Sequence, residues 1–122
     1  MKTYRQRLGE LGEDHVTEHY IRRGALIRQR NVSFPVGEID LIVEEPDGTV
    51  VFVEVKTRSG PAFGVVESVT PRKLGRMRRA AAAWLRLRPY VPVRFDVVAV
   101  TIDPLTGATT LTTFEGVEQG AR

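Results

Sequence analysis

The stretch GEIDLIVEEPDGTVVFVEVKTR, residues 37–58, holds more structural information than any other part of this chain. From Gly37 to Glu44 the side chains alternate, with Ile39, Leu41 and Val43 on one face and Glu38, Asp40 and Ile42 on the other. That period of two is the mark of a β-strand. Glu45-Pro46-Asp47-Gly48 reads as a turn, and its Asp-Gly pair favours a tight hairpin. Thr49 to Arg58, rich in Val and Phe, is the strongest strand in the sequence. Alternation points Glu54 and Lys56 the same way, about 6 to 7 Å apart along the strand. Asp40, on the strand before, can face the same side.

Two carboxylates held close repel, and one keeps its proton unless a cation lies between them. A hard divalent ion with oxygen ligands, Mg²⁺ or Mn²⁺, would supply that charge. The backbone carbonyl of Val55 can add a further oxygen. Lys56 could then hold or deprotonate a water for attack at phosphorus while the metal stabilises charge on the phosphate. The same residues also fit an ordinary ion pair of Glu54 with Lys56 on an exposed strand, worth under about 1 kcal/mol. The residues alone leave both readings open.

Outward from the hairpin, Leu8, Leu11, His15, Val16, His19 and Tyr20 recur at helical spacing, predicting a helix over residues 9–23 that Gly24 stops. Ala25 to Ser33 reads as a first strand, and Ser59 to Gly64, with two glycines and a proline, as a loop. Thr70-Pro71 is a good helix start, with a hydroxyl cap and proline at the first helical position. That helix is expected to run to Arg88, before Pro89, with Leu74, Met77, Ala81, Trp84 and Leu85 as its apolar stripe. Trp84 therefore reads as core. Val93 to Ile102 and Ala108 to Phe114 complete the strands. The order is helix, three strands, helix, two strands: an α/β fold with a mixed five-stranded β-sheet flanked by helices. One domain over residues 1–116 and a loose tail at 117–122 are expected.

The 122 residues carry 18 Lys plus Arg and 15 Asp plus Glu, a net charge of +3. The two signs are segregated. Asn31 to Val55 holds six acids and no base, whereas Ser68 to Phe95 holds eight bases and no acid. Solvated surfaces usually interleave the signs, so a carboxylate site beside a surface made for anions is one reading and chance imbalance the other. The absence of cysteine excludes disulfides, thiolate zinc sites and a cysteine nucleophile. No apolar run approaches the ~18 residues of a membrane span, and no apolar stretch follows Lys2, Arg5 and Arg7 to make a secretory signal. A cytoplasmic protein with no membrane partner is the simplest fit. His15-Val16-Thr17-Glu18-His19 spells the inverted zinc-protease motif, but the chain has no third histidine, and helical geometry puts the pair roughly opposite Glu13.

Gly37-Glu38-Ile39-Asp40-Leu41-Ile42 followed by Phe52-Val53-Glu54-Val55-Lys56-Thr57-Arg58 resembles the signature of the YraN-like family. These small endonuclease-like proteins belong to the PD-(D/E)XK superfamily, whose restriction-endonuclease-like fold also occurs in archaeal Holliday junction resolvases. The resemblance extends to Gly12-Glu13, Asn31, Gly64, Lys73 and Arg94-Phe95-Asp96, covering roughly residues 9–100. It departs from the superfamily at Gly37-Glu38, which precede Ile39-Asp40 where a Pro-Asp pair would stand.

The resemblance implies a metal-dependent DNA endonuclease acting on branched or single-stranded DNA in repair or recombination. Asp40 and Glu54 would bind the metal, Glu13 would join them directly or through water, and Lys56 would be the catalytic lysine. A resolvase cuts two strands symmetrically and so requires a homodimer; Val65, Val66 and the hairpin edges are candidate contacts. Candidate nucleic-acid contacts are Arg58, Arg72, Lys73, Arg76, Arg79 and Arg94. Arg94 is equally suited to pair with Asp96. Such contacts to a backbone leave RNA open as a partner. The alternative function is a non-catalytic nucleic-acid-binding adaptor that keeps the nuclease fold.

Overall fold

Val51, Phe52 and Val53 are fully buried although their side chains alternate sides. A strand apolar on both faces belongs at the centre of a sheet covered by helices on both sides. The computed structural model describes residues 1–60 and 69–117. Helix α1 (Tyr4–Arg22) precedes strands β1 (Leu26–Phe34), β2 (Gly37–Glu44) and β3 (Val50–Ser59). Helix α2 (Pro71–Leu85) follows, and then β4 (Val93–Ile102) and β5 (Thr109–Phe114). The sheet order is β1-β2-β3-β4-β5. Only β3 and β4 run parallel, Val50 pairing with Val93 and Ser59 with Ile102. A parallel pair needs a crossover, and α2 lies in it.

On one face Ile42, Val50, Phe52 and Phe95 pack against Leu74, Met77, Ala81 and Trp84 of α2. On the other, Leu41, Val43, Val51, Val53 and Val98 pack against Val16 and Tyr20 of α1. Trp84 is core, as expected; its indole N–H donates to Gln29 at 3.0 Å and its ring meets Phe52 edge-on.

Helix α1 starts earlier than its apolar period predicts. The Thr3 hydroxyl accepts the Gln6 N–H while the Gln6 side chain accepts the Thr3 N–H, a reciprocal cap that fixes the start. Leu11, expected on the apolar face, is 45% exposed, and the buried positions are Gly12, Val16 and Tyr20. Helix α2 ends at Leu85, not Arg88; the Arg88 N–H closes back on the Leu85 carbonyl and its guanidinium lies over the Trp84 ring. Val117 packs against the core, so it belongs to the packed unit and not to the expected tail. Residues 118–122, residues 61–64 of the expected loop, and Val65 and Val66 lie outside the described residues.

Gly12 sets how closely α1 approaches the sheet. A Cβ at this position would stand 1.9 Å from Thr57 Oγ1. We expect Gly12→Ala to destabilise the protein by about 1–3 kcal/mol through overpacking, and Gly12→Ala with Thr57→Ala to recover part of the loss in thermal melts. Equal melting of Gly12→Ala and wild type would show that α1 does not depend on this contact.

Candidate active site

The β2–β3 ladder runs from Glu44↔Val50 to Leu41↔Val53 and stops there. One residue further, Asp40 Oδ2 accepts the Val55 N–H at 2.8 Å, so a side chain replaces the ladder bond where the strands part. The facing of β2 also changes at this point. Leu41 and Val43 pack on the α1 side, whereas Ile39 joins Val32 in the α2-side core. The expected common face of Ile39, Leu41 and Val43 is therefore broken at Asp40. On β1, Asn31 lies between the pairs Arg30↔Leu41 and Val32↔Ile39 with φ of 53°. Asparagine tolerates this left-handed backbone better than most residues.

Where the strands part, Asp40 and Glu54 line one cleft together, close enough for the charge of Glu54 to act on Asp40. Burial, then the Glu54 charge, pushes the Asp40 carboxyl up to about 8, with the Val55 N–H opposing the rise. Glu13 comes near from α1. Its carboxyl is raised by burial, opposed by a hydrogen bond from Asn31 and by Arg30, whose Nη2 is 3.8 Å away. Arg30 is closer to Asp14, at 2.9 Å. Among the described residues no three acid or imidazole groups form a ready metal cage. Asp40 and Glu54 are the close pair, and Glu13 turns towards Asn31 and Arg30.

Lys56 Nζ lies 3.2 Å from Glu54 Oε2. The Lys73 side chain, from α2, comes near Lys56, and the proximity of that second ammonium lowers Lys73 from its ordinary value. A cleft of about 290 Å³ on this side is lined by Glu38, Asp40, Glu54, Lys73 and Arg76. A second cleft, of about 280 Å³, reaches the same acids from the α1 side and is lined by Arg5, Glu13, Val55 and Thr57. Arg58 is exposed and lines an adjoining groove with Lys56. Arg72 and Arg79 are exposed on α2 but line none of these three.

Of the two roles open to Arg94, the structure shows the pairing with Asp96. Its Nε and Nη2 donate to the fully buried Asp96 at 2.9 and 3.0 Å. The Tyr20 hydroxyl and the Gly116 N–H also donate to Asp96, at 2.7 and 3.2 Å. This network lies on the α1 face of the sheet, where Tyr20 packs, whereas Glu54 shares the α2 face with Val50 and Phe52. The sequence reading missed Arg5 because it lies before the expected helix start. It also assigned no role to Glu38 in the cleft or to Asn31 as the partner of Glu13.

Two outcomes follow. In EDTA, the unfolded chain releases the Asp40 proton near 3.8 and the folded chain keeps it to about 8, so stability falls as pH rises between them. Asp40→Asn should therefore melt above wild type at pH 8, by an amount on the order of a few kcal/mol in stability, and level with it at pH 4; a constant difference would contradict the raised Asp40 carboxyl. Arg94→Ala should cost roughly 3 kcal/mol or more, since it leaves a buried carboxylate unpaired. A neutral substitution would place Arg94 outside the core network.

The family described as "Uncharacterised protein family UPF0102" matches residues 12–100. A UPF0102 protein of Corynebacterium efficiens is 62% identical over 122 residues, covering 100% of both chains. One from Corynebacterium glutamicum is 52% identical over the same 122 residues, again with 100% of both chains covered. A relative from Mycolicibacterium smegmatis is 46% identical over 102 residues, 80% of this chain and 82% of its own. Among solved structures, that of a repair endonuclease from Pyrococcus abyssi aligns with 88% of this chain and 42% of its own, at a TM-score of 0.43 and 16% identity.

Proposed function

This chain belongs to the UPF0102 family, and we propose that it is a metal-dependent nuclease that hydrolyses phosphodiester bonds. DNA with branched or single-stranded segments is the proposed substrate class. One observation carries the reading: Asp40 and Glu54 line one cleft with Lys73 and Arg76, and Lys56 Nζ stands 3.2 Å from Glu54. The acid pair calls for a cation and the bases for an anion, which is the demand of a metal phosphate site.

The donors fit a hard ion. Asp40 and Glu54 supply only oxygen, and burial beside the Glu54 charge raises the Asp40 carboxyl because positive charge is wanting there. In an extended strand a residue turns its N–H and C=O to the same edge, so Val55, whose N–H meets Asp40, also turns its carbonyl there. Mg²⁺ or Mn²⁺ would be held by Asp40, Glu54 and the Val55 carbonyl, with Glu13 joining directly or through water. Bound there, the ion would supply the charge that lowers the barrier to attack on phosphorus.

The remaining roles fall to side chains. Lys56, tied to Glu54 at 3.2 Å, donates to the attacking water and orients it. Lys73 and Arg76, lining the same cleft, hold the non-bridging oxygens of the phosphate. Arg58 grips the next phosphate along the groove, and Arg72 and Arg79 add a diffuse field on the exposed side of α2. Symmetric cutting of a junction would require two copies of the chain.

The test sets wild type and Glu54→Ala against labelled single strand, duplex, flap and four-way junction, DNA and RNA, with Mg²⁺, Mn²⁺ or EDTA. Wild type should cleave only with metal. Glu54→Ala should bind as tightly but cleave at least about a hundred-fold more slowly, the scale of a lost electrostatic contact at the reacting group. Binding without cleavage in any metal would replace the nuclease with a nucleic-acid-binding adaptor.

A further inference from the structure

Beside the acid pair, on the α1 side, is a groove of about 480 Å³ lined by Tyr4, Arg5, Leu8, Lys56, Thr57, Arg58 and Ser59. Its volume is in the range of small-ligand cavities, about 300–1,000 Å³. Three of these residues, Arg5, Lys56 and Arg58, are basic and none is acidic, and the groove runs along the edge of β3 that β2 leaves after Val53, where residues of both faces meet it. Tyr4, at the start of α1, is 64% exposed and contributes nothing to the buried core. Arg5, Leu8 and Thr57 also line the cleft of Glu13, Asp40 and Glu54, so the two spaces are continuous. Lys56 joins the groove to Lys73 from the other direction.

We propose that this groove is a binding site for one unpaired nucleotide next to the bond that is cut: its base stacks on Tyr4 and its phosphates lie between Arg5 and Arg58. The inference rests on the nuclease reading and adds to it the feature of the substrate that is recognised. An exposed aromatic ring among cations is the arrangement by which single strands are held, stacking supplying affinity for any base and the cations following the backbone. A paired base has its faces covered by its neighbours in the stack. The groove therefore selects a strand end, flap or junction arm over intact duplex. The shared residues set the path: a strand leaving the acid pair past Arg5 and Thr57 enters the groove directly, since these residues line both spaces.

Binding is measured in EDTA, so that no cleavage enters, with labelled oligothymidine and with a blunt duplex of equal length. Wild type, Tyr4→Ala and Tyr4→Phe are compared, with circular dichroism to verify folding. Tyr4→Ala should weaken single-strand binding at least about five-fold, the lower end of base–aromatic stacking. It should leave duplex binding unchanged, and Tyr4→Phe should retain wild-type affinity. A single abasic nucleotide moved along the oligonucleotide should cost wild type affinity at one position and cost Tyr4→Ala nothing there. Unchanged single-strand affinity in Tyr4→Ala, or equal losses on both ligands, would overturn the assignment. Tyr4-dependent binding in a protein that cleaves nothing would support the groove and remove the nuclease reading; cleavage with no effect of Tyr4 would do the reverse.

Discussion

The candidate site depends on the place where β2 and β3 stop pairing. After Leu41↔Val53 the Val55 N–H goes to the Asp40 carboxylate, and that bond holds the parted strands at a fixed spacing. The substitution satisfies the backbone donor, so the opening does not leave Val55 N–H without a partner. It also fixes Asp40 in a half-buried position from which its carboxylate cannot move away from Glu54. Two acids are thereby held together at a cost to the fold that a proton relieves at low pH and that a divalent cation would relieve at any pH. The repulsion is confined to one end of the hairpin, and the ladder from Leu41↔Val53 to Val43↔Val51 is apolar and buried.

Two glycines bring the helices close enough to complete that end. Gly12 lets α1 settle on Thr57, which carries Glu13 to the α1 side of the opening. Gly37, at the start of β2, lies where a Cβ would come within 2.9 Å of the Arg76 carbonyl, so β2 and α2 meet backbone to backbone. Leu74 and Met77 anchor α2 in the core one turn from Lys73 and Arg76, and so turn those bases into the cleft. Each glycine gives up side-chain packing for proximity, and each is adjacent in sequence to an acid at the site, Glu13 or Glu38.

Much of this was legible beforehand, and the exceptions have physical causes. The alternation of residues 37–44 and 49–58 identified the hairpin because both strands do pair, and it placed Asp40, Glu54 and Lys56 together correctly. The turnover of β2 at Asp40 was invisible because alternation assumes an unbroken ladder. A left-handed Asn31 leaves no trace in the hydrophobic pattern. The start of α1 was missed because Tyr4 to Arg7 make a polar, exposed turn, fixed by the Thr3–Gln6 cap and not by an apolar stripe. Arg94 was undecided in the sequence between phosphate and Asp96. Burial of Asp96 decides it, since a carboxylate removed from water needs a cation and Arg94 shares its face two residues away.

The segregated charge acquires its meaning from the same geometry. The acids of residues 31–55 fall into two groups at opposite ends of the hairpin. At the turn end Glu44 pairs with Arg28 at 3.0 Å, and Glu45 with Arg23 at 2.7 Å and Arg94 at 3.8 Å. At the parted end Asp40 is answered by a backbone N–H and by no cation in an ion pair among the described residues, and Glu54 by Lys56 at 3.2 Å. Arginines are numerous in this chain, and one placed beside Asp40 would have removed the repulsion at once. The base-only segment instead brings its cations to the opposite wall of the cleft, about one ligand's width from the acids. Charge is thus neutralised pairwise at the turn end, whereas at the parted end only Glu54 has its lysine, and Asp40 stays raised by burial across the cleft from Lys73 and Arg76.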